Sequence, residues 1–192
     1  ASMNMNPLLP LCLPVTTLVG NVTRTLLPGV HCGTLDVAQG GTLVLLPGEH
    51  YFLNGDLRLR QNAVLQGDNV VLFFDRRSKF QFTESSQIQL RGRRTGPFAG
   101  FVLATTRDNT RVFTISTTSA RELLGTVYIP NATLQVSGSD RVADQSAWTV
   151  IVARAIQLNG SANLVINHNS AGSTVPVPTG VGPAISTGAR PV

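Results

Sequence analysis

Charged residues are scarce in this chain: they make up 13% of its 192 residues, and lysine occurs only once. So little charge excludes a coiled coil, a helical bundle and an acidic disordered chain. No run of 18 apolar residues occurs, so the sequence contains no candidate membrane span. No charged segment followed by an apolar one opens the chain, so we expect any signal or anchor to have been removed. The length fits a single domain.

The sequence does contain short triplets that read apolar, variable, apolar. Six of them start at 35, 57, 80, 113, 134 and 156, in steps of 22, 23, 33, 21 and 22. Alternation over three or four residues predicts very short strands with one buried face. A period near 22, interrupted by one insertion, predicts coils with three short sides.

We therefore predict an all-β fold: a right-handed parallel β-helix of about six three-sided coils, its handedness following the general rule for parallel crossovers. More continuously apolar segments, such as 70–74, supply the third side, and Gly and Asn mark the corners. An antiparallel sandwich or barrel remains the alternative. It would need hairpin turns of the Asn-Gly kind, and only two such dipeptides occur.

Composition divides the chain into three parts. Residues 1–25 are a Pro-rich leader that we expect to cap the first coil, 26–169 form the β-helix, and 170–192 are an extended tail rich in Pro, Gly, Ser and Thr. The only two cysteines, Cys12 and Cys32, have neither zinc-type nor Cys-x-x-Cys spacing. We expect a disulfide between leader and first coil, which implies an oxidising compartment, with two buried thiols as the alternative.

Four Gly- and Pro-rich motifs lie along the predicted coils, at 27–33, 46–52, 96–101 and 125–134. Together they resemble the extracytoplasmic β-helical region of bacterial tight-adherence (Flp) pilus-assembly proteins of the TadE/TadG-like type, over roughly residues 26 to 166. The resemblance implies a structural or binding module in the periplasm, at the cell surface or secreted. It also implies other pilus-assembly or cell-surface proteins as partners.

Two histidines, His31 and His50, follow the Pro-Gly turn at equivalent places, where the resemblance leads us to expect Tyr. On adjacent coils their rings would lie about 5 Å apart. We expect a structural stack, since two histidines with Glu49 would make a poor metal site. No metal or cofactor is predicted.

The ten acidic residues include no adjacent pair and no Asp-x-Asp. Glycoside hydrolysis needs two facing carboxylates, and a calcium-assisted lyase needs several acids around one ion. Stacking could still bring acids of different coils together, and Asp36 and Asp56 are about one coil apart. We therefore expect a non-catalytic module, and a carbohydrate-active β-helix (a polysaccharide lyase or hydrolase) or a polysaccharide-binding module is the alternative.

Eight of the fifteen basic residues fall between positions 58 and 94. They are Arg58, Arg60, Arg76, Arg77, Lys79, Arg91, Arg93 and Arg94. If the first five stacked on adjacent coils they would form a cationic ladder able to hold an anionic polysaccharide, with a solvated face as the alternative. No nucleic-acid motif accompanies them.

A last prediction concerns the continuously apolar side. If Phe101 and Leu103 point inward, alternation sends Val102, Tyr128 and Ile151 outward in a stacked row. An apolar outer row needs a cover. We expect the tail, the leader or a partner subunit to cover it, and a homo-oligomer is one way to do so.

The predicted disulfide is tested by labelling thiols in the unfolded protein before and after reduction. We expect labelling only after reduction, and a loss of about 3 kcal/mol of stability on reduction, the loop-entropy value for about 20 enclosed residues. Labelling of both cysteines without reductant would contradict the pairing.

Overall fold

The computed structural model describes residues 13–15, 17–116, 119–138 and 141–180, and within these residues it contains eighteen strands and no helix. Seven rungs follow one another along the chain. The first rung consists of β1 (Leu13–Pro14), β2 (Leu18–Val19) and β3 (Thr23–Leu26), the second of β4 (Gly29–Cys32), β5 (Leu35–Ala38) and β6 (Thr42–Leu45), and the third of β7 (Gly48–Leu53), β8 (Leu57–Leu59) and β9 (Val64–Gly67). The fourth rung consists of β10 (Val70–Phe74), β11 (Phe80–Thr83) and β12 (Gln87–Arg91), and the fifth of β13 (Phe101–Thr105), β14 (Val112–Ser116) and the start of β15 (Ser119–Gly138). The sixth rung consists of the rest of β15 with β16 (Arg141–Val142), and the last of β17 (Thr149–Gly160) with β18 (Asn163–Leu164).

Every pairing between these strands is parallel, and each strand pairs with its counterparts on the neighbouring rungs. The first strands of the rungs form one face, the second strands another and the third strands the remaining face. Six turns separate β1 from β17. The predicted parallel β-helix of about six coils is therefore confirmed, while its handedness stays a prediction.

The predicted triplets fall into register along the second face. Leu35 pairs with Leu57, Leu57 with Phe80, Phe113 with Leu134 and Leu134 with Ile156, and Gln81 pairs with Thr114 across the step of 33. Most of the extra residues of that step lie between β12 and β13, and two more lie between β13 and β14, since the offset rises from 31 at Leu72 and Leu103 to 33 at Gln81 and Thr114. The strand pairing therefore stays regular because the extra residues lie in corners.

The inward side chains of each coil rest on those of the next. On the second face the two inner rows contain Leu, Val, Ile and Phe, and Phe80 makes an edge contact with Phe113 at 4.9 Å and stacks on Phe82 at 4.5 Å. Phe74, from the first face, meets both Phe80 and Phe113. These rings are fully buried, so the aromatic centre of the core lies in the fourth and fifth coils.

The repeated Leu-Pro-Gly turn has a steric basis. Gly29 and Gly48 both have positive φ, at 139° and 146°, a conformation that L side chains rarely adopt. A Cβ on Gly48 would also lie 2.4 Å from Cγ of Pro28. The glycine therefore lets the turn of one coil pack directly on the proline of the coil before it.

The solenoid begins earlier than the predicted boundary at residue 26. Within the predicted leader, β2 pairs with β5 and β3 pairs with β6, both with a step of 19 instead of 22. The first coil therefore does not follow the period near 22 residues that predicts the other coils. Cys12 lies outside the described residues, and Cys32 ends β4, whose last two residues pair with β1. The pairing of the two cysteines stays a prediction.

The described part of the tail packs against the outside of the solenoid. Val175 is 1% exposed and contacts Trp148, whose indole N–H donates to the Val175 carbonyl at 3.0 Å. A Cβ on Gly100 would lie 2.2 Å from the carbonyl oxygen of Pro176, so the tail passes close to that glycine. Residues 181–192 lie outside the described part of the chain.

Two neighbouring residues of β14 test the inward rows. We expect Phe113→Ala to cost about 3 to 5 kcal/mol, because it empties a fully buried site between aromatic rings. Val112→Ala, at a position that is 41% exposed, should change the free energy of unfolding by less than about 0.5 kcal/mol. Urea unfolding measures both, and equal costs would contradict the packing described.

Candidate polyanion-binding site

Basic side chains meet at the corner where the first face turns into the second. We call this set the basic corner. It consists of Arg76, Arg77, Lys79, Arg107, Arg111 and Arg154. The fourth rung contributes three of them, the fifth contributes two and the last contributes Arg154. At about 4.8 Å per rung, the basic corner extends over roughly 15 Å parallel to the solenoid axis.

Hydrogen bonds between rungs fix the backbone of the basic corner. Asn109 is fully buried, and its side-chain amide donates to the carbonyls of Asp75 at 2.6 Å and Ser78 at 2.9 Å. The Asp75 carboxylate accepts from the Arg77 backbone N–H at 3.0 Å and from the Ser78 hydroxyl at 2.6 Å. Asp75 thus holds the turn, and Arg76 and Arg77, which follow it, project from a backbone fixed by these hydrogen bonds.

Most of the basic corner has no carboxylate partner. Among the described residues, Arg76, Arg77, Lys79, Arg107 and Arg154 form no ion pair within 4.0 Å. All but Lys79, which is half-buried, are exposed. Arg111 reaches Asp56 at 3.7 Å and donates to the Arg77 carbonyl at 3.1 Å. The basic corner therefore presents to solvent several guanidinium groups that have no ion pair with a described residue, on a backbone that hydrogen bonds hold in place.

The eight predicted basic residues do not form one surface. Arg58 pairs with Asp56 at 3.2 Å, Arg60 with Asp36 at 3.1 Å, Arg91 with Glu122 at 2.7 Å and Arg94 with Asp68 at 2.6 Å. Arg93 donates to the Asn69 carbonyl at 2.9 Å. Only Arg76, Arg77 and Lys79 belong to the basic corner.

The predicted cationic ladder of Arg58 and Arg60 with Arg76, Arg77 and Lys79 is wrong. Arg58 lies in register with Asp36 on one side and Gln81 on the other. The three cations that precede Phe80 lie in the turn before the strand, and a strand position cannot stack on a turn position. The carboxylate of Asp36 instead neutralises Arg60, and this ion pair raises the pKa of the Arg60 guanidinium.

The basic residues predicted from the sequence did not include Arg107, Arg111 and Arg154. Arg107 and Arg111 lie within the 33-residue step, after the insertion, so they are far from Arg77 in sequence. The alignment of Phe80 with Phe113 would have identified these two, because it brings together the turns that precede the two strands. Arg154 precedes Ile156 and needs the further alignment of Phe113 with Leu134 and of Leu134 with Ile156.

Asp36 and Asp56, the acids considered for catalysis, are both held by arginines. Asp36 receives two guanidinium N–H groups of Arg60, at 3.1 Å each, and Asp56 lies between Arg58 and Arg111. Both carboxylates are thus used as ion-pair acceptors in this structure.

A shallow groove of about 400 Å³ lies on the outer side of the third face. Its lining residues are Val44, Leu45, Pro47, Gln66, Gly67, Asp68, Gln89, Arg91 and Glu122. The amide of Gln66 donates to that of Gln89 at 3.3 Å, and Arg91 pairs with Glu122. The basic side chain in this groove is already neutralised, so the groove is a weaker candidate for anions than the basic corner.

The predicted apolar outer row is only partly correct. Tyr128 does face outward, where it meets Phe101 edge-on at 6.1 Å. Val102 is instead fully buried in the main core, because a bulge between Phe101 and Leu103 shifts the alternation of β13. Ile151 also packs against the main core, since it pairs with the inward Val127.

The outer apolar surface is covered largely by the chain itself. Phe98, from the insertion between β12 and β13, lies edge-on over Phe73 at 4.7 Å, and Phe73 stacks on Tyr51 at 4.8 Å. The described tail covers Val150 through Val175 and Val177. The tail thus covers one end of this face at Val150, outside the predicted row, and the insertion covers the middle.

His31 and His50 form the predicted stack inside the first face. Their ring centroids are 5.3 Å apart with an interplanar angle of 19°, and both side chains are buried. Nε2 of His50 lies 2.9 Å from the Leu46 carbonyl, which can only accept, so this nitrogen carries the proton. Nδ1 of His50 then accepts from Nε2–H of His31 at 3.0 Å. Both rings are held as neutral tautomers by one directional chain of hydrogen bonds.

Burial above all, together with the nearby His50 and Arg24, lowers the pKa of His31 to about 4. Burial also lowers the pKa of His50, against the effect of the Leu46 carbonyl. Glu49 lies on the outer side of the sheet and accepts a hydrogen bond from the Tyr51 hydroxyl, away from the two rings. Among the described residues, no cluster of three or more His, Cys, Asp or Glu side chains could hold a metal ion.

Comparison of the chain with models of protein families, with curated proteins and with solved structures finds no match. In the described residues no helix is long and apolar enough to cross a membrane. The resemblance to pilus-assembly proteins therefore stays a prediction.

The histidine pair predicts a loss of stability in mild acid. A histidine whose pKa is lowered by folding stabilises the native state above the unfolded pKa of 6.5, and this contribution disappears as the pH falls towards 4. For His31 alone, the free energy of unfolding should fall by about 3 kcal/mol. Urea unfolding between pH 7.5 and pH 4 should show it.

The double variant His31→Phe, His50→Phe keeps the stacked rings and removes both titrating groups. We expect its stability to change less than that of the native chain over this range. An equally steep fall in both proteins would assign the acid sensitivity to other groups, such as the carboxylate of Asp144, whose pKa is lowered by Arg121.

Proposed function

We propose that this chain is a non-catalytic structural module of the extracytoplasmic space that binds an extended polyanion along its basic corner. The observation that carries the proposal is the row of unneutralised basic side chains on a frame fixed by Asn109 and Asp75. A rigid frame lowers the conformational entropy lost on binding. Guanidinium groups bind carboxylate, sulfate or phosphate groups with two hydrogen bonds. The predominance of arginine over lysine in the basic corner therefore suits a ligand that carries such groups.

The class of ligand follows from the shape of the basic corner. Its cations lie at the intervals of successive rungs, about 4.8 Å or a multiple of this distance. A linear polymer with regularly repeated anionic groups can contact several rungs together, whereas a single small anion can contact one or two. An acidic surface polysaccharide is the polymer that an extracytoplasmic module meets.

Association with a pilus-assembly or cell-surface apparatus is part of the same proposal. It is supported by the four Gly- and Pro-rich motifs and by the pair of cysteines, which favours an oxidising compartment. The solenoid itself supports a scaffold role, because most of its residues either pack in the inward rows or form the corners between the strands.

Binding is tested with a fluorescent heparin oligosaccharide as the probe, by anisotropy at low and at physiological salt. We expect measurable binding at low salt that weakens steeply as salt rises. The variant Arg76→Gln, Arg77→Gln, Arg107→Gln should weaken binding at least roughly tenfold, because it removes charge-assisted contacts.

The matched control is Arg91→Gln, Arg94→Gln, Arg121→Gln, which changes the net charge equally at positions where each arginine lies beside a carboxylate. We expect the control to bind within about twofold of the native chain. Equal weakening in both variants would assign binding to net charge and overturn the proposed site, as would the absence of binding at low salt. Shortening of the oligosaccharide during the assay would favour the carbohydrate-active alternative.

A further inference from the structure

At the C-terminal end of the solenoid, no described residue forms a strand over two of the inward rows. Leu134 and Val136 on the sixth rung are 2% and 0% exposed, because Ile156 and Leu158 lie over them in register. Ile156 and Leu158 belong to the same inward rows but are 46% and 53% exposed. The last rung thus presents core side chains to solvent on the second face.

Up to Gly180, where the described part of the chain ends, no further rung lies over this surface. After β18 the chain reverses, and His168 forms an antiparallel bridge with Trp148. The backbone N–H of Thr149 donates to the Asn167 carbonyl at 3.0 Å, so this segment covers the edge where β17 begins. Within the described residues nothing pairs with the outer edge of 155–160, whose sole strand partner is β15.

The uncovered edge lacks the features that usually block edge pairing. Natural edge strands carry charges, prolines or bulges that prevent association. Residues 155–160 read Ala-Ile-Gln-Leu-Asn-Gly, with no charge and no proline. From residue 145 to 180 the sequence contains one Asp, Glu, Lys or Arg side chain, Arg154, although the whole chain carries 25. A nearly uncharged end is what a chain of net charge +5 needs in order to contact its own copy.

The strand is also complementary to itself. If two copies of β17 pair antiparallel with Gln157 opposite Gln157, Ile156 of each copy lies opposite Leu158 of the other. Directly opposite residues of an antiparallel pair point to the same side of the sheet, so both apolar rows stay on the inner side. A two-fold axis through Gln157 makes the contact closed and symmetric.

We propose that the second-face edge of the last rung, centred on Gln157, is an interface with a second copy of this chain. The two solenoids meet end to end through antiparallel β17 strands and cover Ile156 and Leu158. This interface lies at the end of the solenoid axis and does not depend on the basic corner being a binding site. A dimer would place two basic corners on one particle, so its failure would leave heparin binding by the monomer intact.

Sedimentation velocity across a concentration series tests the interface. We expect the native chain to dimerise and Leu158→Lys to remain monomeric with unchanged circular dichroism, because the new charge lies at an exposed position. Leu27→Lys, at a position 62% exposed near the opposite end of the solenoid, should dimerise like the native chain. A native chain that is monomeric throughout would overturn the proposal, and so would dissociation by Leu27→Lys, which indicates head-to-tail stacking.

A cysteine at the two-fold axis tests the register. In Gln157→Cys the two thiols would face each other, and mild oxidation should give a covalent dimer joined through residue 157, identified by mass spectrometry of the linked peptide. Gln135→Cys is the matched control, because Gln135 lies in register with Gln157 one rung inside the molecule. Equal cross-linking of both variants, or of neither, would overturn the antiparallel register centred on Gln157.

Discussion

The fixed spacing between hydrogen-bonded parallel strands governs this structure. Adjacent rungs lie about 4.8 Å apart, so every inward side chain must pack on the side chain one rung away. The rows of the second face meet this requirement with Leu, Val, Ile and Phe, and Phe113 accommodates Phe80 by an edge contact at 4.9 Å. Two polar rings can be buried among these side chains because each donates a hydrogen bond. His31 donates to Nδ1 of His50, and His50 donates to the Leu46 carbonyl.

The corners are the parts of the structure whose length and sequence can vary. The rows fix where each strand must lie, and the number of residues between strands can change without disturbing them. The insertion at 92–100 uses this freedom to place Phe98 over Phe73, which covers apolar surface on the outer side of the sheet. The turns at 75–79 and 106–111 use it to display arginines. Ligand binding by this solenoid is therefore expected at the corners, while the strands serve for packing and, at the last rung, for the proposed interface between copies.

The sequence revealed the second face well because its strands alternate strictly. Leu57, Phe80 and Phe113 could be aligned from spacing alone, and the observed registers agree. The first face was harder, because all five residues of β10 are buried and alternation carries no signal where both sides of a sheet are covered. A single bulge then sufficed to turn Val102 inward. The basic corner was predicted only in part, since which cations keep a carboxylate partner depends on contacts between rungs that are 20 to 30 residues apart.

The anchoring of the tail gives the solenoid a mechanical character. Force applied to the chain beyond Gly180 would act first on the contacts of residues 176–178, which lie against Gly100 and the Trp148 cluster, and then on Val175 and the hydrogen bond from the Trp148 indole. These contacts lie on the side of the solenoid, so the load would pass into its wall as shear. Residues 155–160 of β17 take no part in these contacts, so their edge would be spared direct peeling, in which ladder hydrogen bonds break one after another. A module attached through its C-terminal side could thus carry tension while its coils stay closed.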